Sequence, residues 1–148
     1  MRFVIAAAAV LLVSSANAYG ANEKIPDPRA LLQLEAKAAQ ASPKVQCFLY
    51  AEIVHDMTEI AGEELSSGDF KHASDTLQAV QDYAQKIHVD MANDTRKSKN
   101  TEILLRHTAS RLNEILHNAS LEDRPNLQST LKQLDQVQGE LMMQVFKH

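Results

Sequence analysis

The chain has one cysteine, Cys47, and only four glycines and four prolines among its 148 residues. A lone cysteine excludes an intramolecular disulfide framework. It also excludes haem attachment, which needs Cys-x-x-Cys-His. No stretch alternates apolar and polar residues as a half-buried strand does, and turn-formers are few, so a β fold has no support. Gly-rich phosphate loops and the Gly-x-Ser-x-Gly elbow are missing. The six histidines, at 55, 72, 88, 107, 117 and 148, form no His-x-x-x-His pair. Serine, histidine and aspartate are all present, but no motif sets a serine on a strained turn beside a base. Beyond residue 18 no apolar run approaches the about 20 residues that span a bilayer as a helix.

What is present begins with Arg2 and an unbroken apolar run from Phe3 to Val13. Ser14, Ser15 and then Ala16-Asn17-Ala18 follow. A positive start, a short apolar stretch and small residues at the two positions a peptidase reads predict a secretory signal peptide, cut after Ala18. The expected product is exported, periplasmic or secreted, and keeps no stable membrane anchor. Taking 18 residues from 148 leaves 130, with 14 basic against 19 acidic side chains, a net charge near −5. That length makes one domain with a core of its own. The acidic balance argues against nucleic acid as a partner. Cys47 lies within Val45-Gln46-Cys47-Phe48-Leu49-Tyr50. This setting predicts a buried thiol packing as a small hydrophobe, with pairing between chains as the alternative.

Residues 19–26 read as a flexible lead-in and 27–148 as a single helical domain. Asp27-Pro28 and Ser42-Pro43 each place a capping side chain before a proline suited to the first helical position. They predict helices over about 28–40 and 43–67, the second closed by Gly68. Asp69 caps a third, whose stripe of Leu77, Val80, Ala84, Ile87 and Met91 is spaced by threes and fours. The same spacing passes through Asp94, Ser98 and Thr101 to Leu105, Thr108, Leu112 and Ile115. Residues 69–118 contain no glycine or proline. The expectation is therefore an all-α fold of antiparallel hairpins on one long central helix, about 69–118, some 75 Å long at 1.5 Å per residue. The alternative is a break within Asn93 to Asn100, giving a compact four-helix bundle. Ser120, Asp123 and Pro125 start a last helix with a heptad seam of Leu127, Leu131, Leu134, Gln138, Leu141 and Val145.

Gly68-Asp69-Phe70, then Ala73, Leu77 and Val80, with Ala61 before them, resembles the junction of a single tetratricopeptide hairpin over about residues 53–84. Met57 and Glu64 stand where that family often has aromatics, and 34 residues further on Glu102 carries no such turn. The resemblance implies a helical hairpin used for protein contacts.

Two Glu-x-x-His pairs, Glu52 with His55 and Glu114 with His117, carry the spacing that helical bundles use to hold iron or manganese. A helical projection puts the apolar arc of the second helix on Leu49, Ile53, Met57 and Ile60, and Glu52, His55 and Glu59 on the opposite side. Glu114 and His117 fall off the Leu112–Ile115 seam. The expectation is solvated faces, no metal, no cofactor and no catalytic residues. Arg96, Lys97 and Lys99, with Arg106 and Arg111 beyond, read as an exposed basic face supported by Glu102 and Arg106 at i, i+4. Asn93-Asp94-Thr95 and Asn118-Ala119-Ser120 are glycosylation sequons. The leading functional expectation is a non-enzymatic exported protein acting through contact with another protein or with itself. The rival is a small metal-binding or redox bundle built on the Glu-x-x-His pairs.

Overall fold

The computed structural model describes residues 25–93 and 99–146. The expected signal peptide and its expected cleavage point after Ala18, most of the lead-in, the first sequon beyond Asn93, and Arg96 and Lys97 lie outside the described residues. Five helices follow in order: α1 (Pro28–Gln40), α2 (Pro43–Ser66), α3 (Phe70–Asn93), α4 (Lys99–Asn118) and α5 (Arg124–Phe146). No strand occurs among the described residues, so the all-α class holds.

Most helix ends follow the expected chemistry, but Ser42, expected to cap α2, makes no side-chain cap bond and leaves Pro43 alone to mark the start. The Asp27 carboxylate accepts from the Arg29 amide at 2.9 Å, with Pro28 in the first position. Gly68 has φ +80°, the left-handed conformation that ends α2 at least cost to glycine. The Asp69 amide then returns to the Glu64 carbonyl at 2.8 Å. At α5, Ser120 Oγ accepts from the Asp123 amide and donates to the Asp123 carboxylate, closing a reciprocal cap.

The long central helix of the sequence reading is corrected here. α3 ends at Asn93 and α4 begins at Lys99. α4 comes back along α2: His55 meets Thr108, Glu59 meets Arg111 and Gly62 meets Ile115. A straight helix over 69–118 would carry Ile115 roughly 68 Å from the Gly68 turn, 45 residues at 1.5 Å each. The chain therefore reverses between α3 and α4, within the stretch where apolar residues run out. The three–four spacing of the sequence runs on through Asp94 and Ser98, but a polar stretch supplies no burial to hold one long helix together.

The result is two antiparallel hairpins, α2–α3 and α4–α5, laid side by side. α2 runs parallel to α4, and α3 parallel to α5; α3 and α4 sit on the diagonal, with no close approach of their backbones. α1 folds back on the start of α2, where Gln46 Nε2 donates to the Ala38 carbonyl at 2.9 Å.

The core is aliphatic. Leu77, Val80, Ala84, Ile87 and Met91 of α3 are buried as the spacing predicted, and so are Leu105, Thr108, Leu112 and Ile115 of α4. In α5 the register differs by a position at two points. Thr130 and Val137 are buried with Leu127, Leu134 and Leu141, while Leu131 is half-buried and Gln138 reaches Glu102 at 2.8 Å. The buried spacing of three, four, three, four is itself a heptad seam. Thr58, Thr108 and Thr130 are fully buried and each hydroxyl donates to the carbonyl four residues earlier at 2.8 Å. Their methyls fill the core while the helix itself satisfies the polar atom. Cys47 is buried in this core, as expected.

Candidate functional site

The seam where α2 meets α4 gathers more of the singled-out residues than any other part of the bundle. α2 is covered on several sides, by α1, α3 and α4, so its apolar arc is wider than the projection suggested. Val54, Thr58 and Ala61 are buried alongside Ile53 and Met57. The flank expected to face solvent instead meets α4. Glu59 is 8% exposed and accepts from Arg111 Nε at 2.8 and 3.2 Å. Arg111 Nη1 also reaches Glu114 at 3.1 Å. The expectation of a solvated face is thus corrected for Glu59 and His55. A one-helix projection sees no second helix, and α4 lies on the flank it left bare.

Arg111 holds this group together. Its hydrogen bond to Glu59 raises its pKa, against burial, with Glu114 adding to the effect. A planar guanidinium serving two carboxylates locks α2 to α4 at this level. The sequence reading put Arg111 in an exposed basic face. In the structure that face is divided: Arg111 is spent on Glu59, and Arg106 lies 3.9 Å from Glu102, at the expected i, i+4 spacing. Lys99 is exposed.

One turn earlier, His55 Nδ1 lies 3.1 Å from Thr108 Oγ1. The His107 ring sits 5.5 Å from the His55 ring, centre to centre, inclined at 34°. Glu52 and Asp56 flank His55 on α2. Burial pushes both carboxyls above their usual range; Asp56 raises Glu52 further, while Lys37 opposes the shift at Glu52 and His55 opposes it at Asp56. The second Glu-x-x-His pair is not brought to the first as a ligand set. Glu114 joins Arg111, and His117 Nδ1 bonds the Asn113 carbonyl on its own helix at 2.7 Å. The i, i+3 motif therefore carried less information than the cross-helix pairing, which needs the tertiary register. His107 was read only as a scattered histidine; nothing in its local sequence marks it.

A second polar group lies at the Gly68 turn. Glu64, Asp69 and His72 bring ligand-type atoms within 4.8 Å of one another. His72 Nδ1 and Asp69 Oδ2 are 2.6 Å apart, and this bond holds the Asp69 carboxyl below its usual range. Asp69 also accepts weakly from the His72 amide at 3.4 Å, as a helix cap does. Glu64 accepts from Thr76 at 2.5 Å. The spacing Asp69-x-x-His72 after a turn glycine is its sequence signal.

Among the described residues no helix is long and apolar enough to cross a membrane. Comparison of the chain with protein-family models, curated proteins and solved structures finds no match, so its reading rests on its own geometry.

Proposed function

We propose that this is an exported, non-catalytic helical protein that works by contact, with another protein or with a second copy of itself. The observation that carries the reading is a second apolar stripe on α5, turned away from the core. Gly139, Met142, Met143 and Phe146 follow i, i+3, i+4 and i+7, the spacing of one helix face. Met143 is 58% and Phe146 79% exposed, and nothing lies within 4 Å of a Cβ placed on Gly139. The core stripe of the same helix, Leu127 to Leu141, is already satisfied. A helix apolar on two sides, with a glycine permitting close approach, suits a further helix. Pairs such as Glu59 with Arg111 and Glu102 with Gln138 support the same reading, because they join helices across a seam as structural locks do. The tetratricopeptide-like turn at Gly68-Asp69-Phe70 agrees with a contact role, and the signal-peptide pattern before Tyr19 agrees with export.

Sedimentation of residues 19–148, wild type and Met143→Asp/Phe146→Asp, tests the reading. Association of the wild type, or capture of a partner from the native exported fraction, should be lost in the double variant. A wild-type chain that stays monomeric and captures nothing sensitive to these residues would contradict it.

A further inference from the structure

We propose that His55 and His107 form a binding site for a single divalent transition ion of the zinc, copper and nickel class, bridging α2 and α4. This stands apart from the contact reading above and uses neither of the Glu-x-x-His pairs as such.

The first support is the tautomer of His55. Thr108 has one hydroxyl hydrogen, and it goes to the Leu104 carbonyl at 2.8 Å. Toward His55 Nδ1, 3.1 Å away, the same oxygen can only accept. The proton of a neutral His55 ring therefore sits on Nδ1, and Nε2 carries the lone pair. A histidine whose far nitrogen donates to a fixed acceptor is the usual arrangement of a metal ligand, because it sets both the tautomer and the ring direction. Thr108 is fully buried and cannot swing away.

The second support is the spacing of the rings. Two imidazoles bound through nitrogen at about 2.0–2.1 Å to one tetrahedral ion have ring centres about 5 Å apart. The His55 and His107 centres are 5.5 Å apart. The two residues lie on neighbouring parallel helices, α2 and α4, whose separation is set by core packing. His107 is exposed, which leaves the ion an approach and room for water in its remaining positions. Imidazole ligands select zinc, copper and nickel over magnesium and calcium.

Zinc titration of the untagged chain, residues 19–148, by calorimetry tests the site. One zinc per chain is expected, with a zinc-dependent rise in melting temperature, since the unfolded chain lacks the paired rings. His107→Ala should abolish both signals while leaving the helical circular dichroism intact. Thr108→Val removes the acceptor that orients His55 and should weaken binding about 10–100-fold. His72→Ala should bind as the wild type does. The proposal is overturned if the wild type shows no saturable binding, if His107→Ala binds unchanged, or if binding is lost in His72→Ala, which would place the ion at the Gly68 turn.

Discussion

At Gly68 the backbone alone decides the residue. Its φ of +80° is costly for any side chain, and no neighbour lies within 4 Å of an added Cβ. Gly68→Ala should therefore lose about 1 kcal/mol in urea unfolding, with no packing contribution. At Arg111 the issue is the partner left behind. Removing the guanidinium leaves Glu59 buried beside α4, and Arg111→Ala should cost about 1–3 kcal/mol by the same measurement. Asp56 gives a test in pH. Burial raises its carboxyl, so folding favours the protonated form. The stability from that preference is full below the unfolded pKa and is lost as pH rises through the folded one. Asp56→Asn should thus be more stable than the wild type near neutrality, and the advantage should vanish below about pH 4, where the wild-type carboxyl is protonated in both states. Urea midpoints measured across acid and neutral pH decide it.

Within the helices, the seams show how much a projection can and cannot say. In α3 the stripe Leu77 to Met91 was legible because one dominant neighbour, α2, covers it and the 3.6-residue period does the rest. In α5 two neighbours, α3 and α4, compete for the helix. Its buried line shifts from Leu131 and Gln138 to Thr130 and Val137, and Thr130 there also receives Gln81 Nε2 at 2.8 Å from α3. Leu134→Ala should lose about 2–5 kcal/mol, and Leu131→Ala clearly less, in paired unfolding experiments. Equal losses would mean that the seam had been assigned to the wrong register.

For the molecule as a whole, side-by-side hairpins make a particle on the scale of one helix. α2 and α3 have 24 residues each, about 36 Å. Small-angle scattering of residues 19–148 at dilution should give a maximum dimension well short of the roughly 75 Å of a continuous 50-residue helix. Recovery of that length in a monomer would restore the central helix and separate α4 from α2.

Local chemistry determined the helix class, the caps at Asp27, Gly68 and Ser120, and the buried stripes of α3 and α4. Each depends on residues within a turn or two of one another, which is the range over which a sequence can be read directly. The tertiary structure decided the reversal between Asn93 and Lys99, the burial of Glu59 and the meeting of His55 with His107. Those depend on which helices become neighbours. That choice comes from the summed burial of several seams at once, and no single stretch of the chain contains it.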